Sequence, residues 1–188
     1  MLQKTLGPDD GIIFIPRTQT AEARNQAVKT AIEGTYDYLV FIDDDMVIPT
    51  NFIEKVREYK KDIFSALSVD RTGKNQIKVF KPVATINEGI IRNRYIHIEN
   101  NELGEGLVEI GATGMACTAI SKEVFTKVYE KTIGLAFQFR DEMIGNVRYY
   151  LSEDIDFCDK ARQLGFKVWV DTKLITGHIG SPQIHYLK

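Results

Sequence analysis

Apolar residues in this chain follow two rhythms, and the change from one to the other marks its elements. Tyr38-Leu39-Val40-Phe41-Ile42 is a continuous apolar run, which predicts a strand buried on both faces. Before it, Ala23, Ala27, Val28, Ala31 and Ile32 fall on one face of a helix that starts near Thr20 and ends at Gly34. A shorter apolar run at 12–15, closed by Pro16, predicts an earlier strand. Pro49 and Thr50 lead into a second helix, which Asn51 can cap and Glu54 can complete as a capping box-like start. Another strand is predicted at 63–69. Strand, helix, strand, helix, strand in this order predicts an α/β fold with a mainly parallel sheet flanked by helices.

The middle of the chain has a different character. From about Arg71 to Glu109 it is polar and rich in Asn and Gly, with short alternating pieces at 76–80 and 94–98, read as hairpins and loops. Gly111-Ala112-Thr113-Gly114 precedes an apolar strand at 115–120, and Ser121 caps a helix running to about Tyr129. The aromatic-rich stretch 132–150 reads as an irregular, substrate-facing loop. A helix at 152–164, ended by Gly165, and a strand at 167–170 complete the pattern. With no internal repeat, linker or low-complexity tract, residues 1–188 read as a single domain.

Composition narrows the class. The 188 residues are 44% hydrophobic and 27% charged, as in ordinary soluble domains. A formal net charge of −2 offers no electrostatic case for nucleic acid or an anionic membrane. Lys55, Arg57, Lys60 and Lys61 cluster, but Glu54 and Glu58 between them mark a solvated helix face. No apolar run suggests a membrane span, and Pro8, Asp9 and Asp10 interrupt any signal peptide. Cys117 and Cys158 sit in apolar patterns without Cys-x-x-Cys spacing, so buried reduced thiols and a cytoplasmic setting are expected.

Four segments carry candidate chemistry. Asp43, Asp44 and Asp45 stand where an apolar strand leaves its sheet, the edge at which open α/β sheets bind ligands. Their mutual repulsion favours a divalent cation, Mn²⁺ or Mg²⁺, shared with a phosphorylated substrate. The competing explanation is an acidic turn. Glu153, Asp154 and Asp156 after Ser152 either complement a helix dipole or present a carboxylate that takes a proton from a substrate hydroxyl. His178 lies between Gly177 and Ile179-Gly180, where backbone can approach a ligand, and imidazole suits transition metals. His97 and His185 have no such setting. Gly111 to Gly114 is neither a dinucleotide fingerprint nor a Walker loop, and reads as a tight turn or as close backbone approach to a bulky substrate.

Taken together, these segments form an ordered set that resembles the GT-A fold glycosyltransferases, the nucleotide-sugar-dependent enzymes of the family-2-like type. The likeness is carried by Ala23-Arg24-Asn25, by Phe41-Ile42-Asp43-Asp44-Asp45-Met46 with Val47-Ile48-Pro49, by Ser152-Glu153-Asp154-Ile155-Asp156-Phe157-Cys158, and by Gly165 to Asp171 followed by Gly177-His178. It spans roughly residues 20 to 180. The resemblance implies that Asp45, Asp43 and His178 bind the metal, with Asp43 also near the donor ribose. It implies that Asp154 is the catalytic base, and that Glu153 and the loop Gly111, Ala112, Thr113 and Gly114 contact the acceptor. Arg17, Thr18, Arg24, Asn25 and Asp44 would lie on the donor side.

Family members place a further βα unit before the segment matching 12–25, and here barely ten residues precede Ile12. Either residues 12–15 with Arg17 and Thr18 form the base-side wall, or the N-terminus is truncated. The implied activity is transfer of a sugar from a nucleoside-diphosphate donor to an acceptor hydroxyl, with inversion. The rivals are a sugar nucleotidyltransferase, whose Gly-rich, Lys/Arg-bearing N-terminal loop is not found here, a degenerate sugar- or nucleotide-binding module and a haloacid-dehalogenase-like phosphatase. The last matches less well, because its nucleophilic Asp normally ends the first strand.

Overall fold

The computed structural model describes residues 6–15, 18–69, 76–87, 89–179 and 184–185. In chain order the elements are α1 (Thr20–Glu33), β1 (Tyr38–Ile42), β2 (Met46–Val47), α2 (Phe52–Tyr59), β3 (Ile63–Leu67), β4 (Val79–Asn87), β5 (Ile90–His97), β6 (Leu107–Ile110), β7 (Ala112–Thr113), β8 (Cys117–Ser121), α3 (Lys122–Lys131), β9 (Arg140–Ile144), β10 (Val147–Leu151), α4 (Glu153–Gln163), β11 (Val168–Ile175), β12 (Gly177–Ile179) and β13 (Ile184–His185).

A central sheet with strand order β1-β8-β3-β11-β6 is flanked by helices, the mixed α/β arrangement expected. Alternation along β3 explains the layers. Ile63 and Leu67 face a core shared with Ala27, Val28, Val124, Phe125, Phe157 and Ala161 of α1, α3 and α4. Phe64 and Ala66 face the opposite side, where Phe52, Ile53 and Val56 of α2 cover them. Phe52 and Phe64 stack there with ring centroids 5.4 Å apart. Every residue of β3 is buried, as are Cys117 to Ile120 of β8, so these strands, rather than β1, are covered on both faces.

The sheet corrects the expected strand directions. Among the described strands only β3 and β11 pair in parallel; β1–β8, β3–β8 and β11–β6 are antiparallel. The β1–α2–β3 unit does run with both strands pointing the same way, but β8 inserts between them. A sequence pattern reports the direction of successive strands and not which strand comes between them. β1 therefore lies at the edge of the described sheet, and only Leu39 of its residues is fully buried.

Other expectations shift as well. The stretch 12–15 is not a strand: Ile12, Ile13 and Phe14 are exposed, Phe14 at 89%, and only Ile15 packs against the core. The short pieces at 76–80 and 94–98 belong to one long hairpin, β4–β5, and β4 also pairs with β7. Part of the predicted loop at 132–150 is a second hairpin, β9–β10. Asn51, Ser121 and Ser152 occupy the N-cap positions, yet none caps its helix through its side chain. Both cysteines are free and buried, as expected, and burial pushes the Cys158 thiol up to about 12. Among the described residues no helix is long and apolar enough to cross a membrane.

Candidate active site

The chain leaves β1 through the three aspartates. Asp43 N–H donates to Ala116 O at 3.0 Å, and Met46 N–H returns to Asp43 O at 3.1 Å, so the acidic segment is a tight turn tied to the start of β8. β2 then pairs antiparallel with β12, placing His178 opposite Met46. Ile179 N–H donates to Asp45 O at 2.8 Å. Residues separated by more than a hundred positions thus share one corner at the carboxyl end of β1. His178 is buried, Asp45 half-buried, Asp43 partly open and Asp44 exposed.

Arg24 joins this corner to the acidic helix start. Its Nη1 donates to Glu153 Oε1 at 2.6 Å, and its Nη2 lies 3.7 Å from Asp43 Oδ1. The guanidinium sits 5.9 Å from the Phe41 ring centroid and 5.8 Å from that of Phe137. Phe41 and Phe137 meet edge to face at 5.5 Å, and Phe137 stacks on Phe157 at 4.4 Å. These rings fix a buried cation between two carboxylates from distant parts of the chain.

Burial raises the Glu153 carboxyl above its ordinary value, and the neighbouring charge of Asp154 adds to the rise; Arg24 opposes both. Asp154 itself is half-buried. Its Oδ1 accepts from Ser152 Oγ and, at 2.8 Å, from Ile155 N–H. Ser152 therefore spends its hydroxyl on orienting Asp154 instead of capping α4. Asp154 Oδ2 faces Gly114: a Cβ added there would stand 3.5 Å from it.

The rest of the glycine segment is structural. A Cβ on Gly111 would meet Pro82 Cδ at 2.4 Å and Phe80 O at 2.8 Å, so glycine is needed for the chain to cross β4. Ala112 and Thr113 are buried in β7, with Thr113 Oγ1 bonded to Lys78 O at 3.2 Å. Of the four proposed acceptor contacts in this loop, Gly114 borders Asp154, while Thr113 lies against Cys158 of α4.

On the donor side the expectations divide. Asn25 pairs with both backbone groups of Phe137, its Nδ2 donating to the carbonyl and its Oδ1 accepting from the N–H, each at 2.8 Å. It therefore secures the loop after α3 rather than facing a ligand. Thr18 Oγ1 donates to Glu22 at 2.7 Å, and Arg17 lies outside the described residues. The sequence reading missed a buried ion network on α4. Asp156, fully buried, is paired with Arg140 at 2.5 Å and Lys160 at 2.6 Å, and Asp159 with Arg140 at 2.9 Å. The i, i+4 spacing of Asp156 and Lys160 was visible, but the partner on β9 was not.

Among the described residues, no three His, Cys, Asp or Glu side chains cluster closely enough to hold a metal alone. Asp45, just before β2, and His178, on β12 beside it, are neighbours at this corner, yet with Asp43 they do not form such a cluster.

The family model described as glycosyl transferase family 2 matches residues 1–128. The match takes in Arg24, the aspartates and the glycine segment and ends before α4 and His178. The crystal structure of A197 from STIV superposes with a TM-score of 0.60 at 17% identity, covering 94% of this chain and 80% of that one, which is a likeness of fold. No curated protein matches the sequence.

Proposed function

Since the chain belongs to glycosyl transferase family 2, we propose that it moves a sugar from a nucleoside-diphosphate donor to an acceptor hydroxyl, with inversion at the anomeric carbon. The observation that carries this reading is the double pairing of Arg24, which places the aspartates after β1 and the acidic start of α4 on one wall. Asp154, oriented by Ser152 and open toward Gly114, is the base. It takes the acceptor's hydroxyl proton as that oxygen bonds to the anomeric carbon and the bond to the diphosphate breaks. Glu153 holds Arg24, and Arg24 offsets the negative charge of Asp43 beside the donor.

Asp43, Asp45 and His178, which do not close into a site by themselves, would hold Mn²⁺ or Mg²⁺ only together with the donor's phosphates, where the ion would supply Lewis-acid stabilisation to the departing diphosphate. The direct test follows release of nucleoside diphosphate from a panel of nucleotide sugars, with and without Mn²⁺, alongside thermal shift. A ligand at ~100 times its dissociation constant stabilises by about 2.7 kcal/mol, so donor and metal together should raise Tm visibly. If neither diphosphate release nor a Tm shift accompanies any donor, the reading fails.

A further inference from the structure

A cavity of about 410 Å³ opens where β5, β9 and α4 meet, lined by Arg92, Asn93, Arg140, Glu142, Asp159 and Gln163. Its size falls within the ~300–1,000 Å³ of small-molecule sites, but its lining departs from their usual apolar character. Two guanidinium groups, two carboxylates and two amides face it, without an aromatic or aliphatic wall.

The charges are balanced within the lining and its immediate neighbours. Arg92 donates to Glu142 through Nε at 3.2 Å and Nη2 at 3.4 Å. Arg140 is shared between Asp156 and Asp159, and Asp159 also accepts from Tyr95 Oη at 2.8 Å, Gln163 Nε2 at 2.9 Å and Asn93 Nδ2 at 3.4 Å. Phosphate entering here would meet Glu142 and Asp159, and a metal ion would meet Arg92 and Arg140. A neutral ligand escapes both penalties. A carboxylate has about four lone-pair sites, and those of Asp159 are filled, so the open capacity lies with Glu142 and with the amide groups of Asn93 and Gln163. A ligand dense in hydroxyls, each able to donate and accept, matches that lining; an apolar one would leave it unsatisfied.

The cavity is also tied to the catalytic helix. Asp159 lies five residues beyond Asp154 on α4, about 8 Å along the axis and about 140° around it, so the cavity opens on a neighbouring face of the same helix. Arg140 is paired in register with Leu151, directly before Ser152. From this lining and placement we propose that the cavity is a subsite for a neutral sugar unit of the acceptor, beyond the unit whose hydroxyl reacts. The proposal rests on the glycosyl-transfer reading for its role, although saccharide binding itself can be measured without it.

The test begins with the ¹⁵N-labelled chain titrated with neutral disaccharides of the glucose, galactose, mannose and N-acetylglucosamine series. At least one series should give saturable shifts at the amides of Arg92, Asn93, Glu142 and Gln163, whereas inorganic phosphate and Mn²⁺ alone should not. Arg92→Leu and Gln163→Leu, both at the solvent-facing rim, should weaken that binding about tenfold. In a transfer assay they should raise acceptor KM while leaving kcat and donor hydrolysis by water nearly unchanged. The proposal is overturned if no disaccharide shifts these amides, if both variants bind as tightly as wild type, or if phosphate is the ligand that saturates. Donor hydrolysis without disaccharide binding would remove the subsite and leave the reaction standing. Disaccharide binding without turnover of any donor would do the reverse.

Discussion

Arg24 and Glu153, 129 positions apart in sequence, meet in a buried ion pair at 2.6 Å, and the same guanidinium lies 3.7 Å from Asp43. Removing one member of such a pair leaves the other charge buried without compensation. Arg24→Met should therefore cost about 3–5 kcal/mol, measured by denaturant unfolding. Glu153 gives this pair a pH signature. Burial raises its carboxyl, so the folded chain keeps that proton to higher pH than the unfolded chain does. Stability from this group is full below the ordinary glutamate value of about 4.3 and is lost as pH rises through the raised folded value. Glu153→Gln should thus gain Tm relative to wild type as pH rises from about 4 toward neutrality. A Tm difference that stays constant with pH would show that Glu153 titrates alike in both states.

Asp154→Asn separates chemistry from architecture. The asparagine Oδ1 can still accept from Ser152 Oγ and Ile155 N–H, so the helix start should persist. Loss of the base should slow transfer by roughly 10²–10⁴-fold with donor binding retained. If Asp154 only complements the helix dipole, the variant should lose about 0.3–1 kcal/mol of stability and little activity. Turnover and urea unfolding on the same preparation distinguish the two.

The two glycines flanking β7 should respond differently. Gly111→Ala drives a methyl against Pro82 Cδ and the Phe80 carbonyl, and overpacking of this kind costs about 1–3 kcal/mol. Gly114→Ala makes only ordinary contact with Asp154 Oδ2 at 3.5 Å and should fold normally. Its effect should appear in acceptor KM. Paired Tm measurements and acceptor titrations check both halves.

Ile133 combines φ of 51° with 94% exposure just after α3. A β-branched residue in the left-handed region is strained, and this side chain gains nothing from burial to offset the strain. Ile133→Asn should stabilise the chain by about 1 kcal/mol, read as a rise in Tm with unchanged activity.

Local order in the sequence was enough to locate α1, β1, α2, β3, α3, α4 and β11, because each has its own apolar period and most have their own stop signals. It also placed Asp43–Asp45 at a strand end and Glu153–Asp154 in the first turn of a helix, since both positions depend only on neighbours in the chain. Tertiary structure decided what periodicity does not encode. Strand order came from pairing across the sheet, where β8 separates β1 from β3, making the sheet mixed and leaving β1 at its edge. Residues 12–15 are apolar but have no pairing partner among the described strands, so the run does not become one. Asn25 carried the same sequence signal as Arg24, one position away on a helix. Adjacent helical side chains point about 100° apart, and that rotation sends Arg24 to the carboxylates and Asn25 to the Phe137 backbone. Gly111 and Gly114 likewise look equivalent in the chain. The close passage of β4 reserves the first for packing and leaves the second beside Asp154.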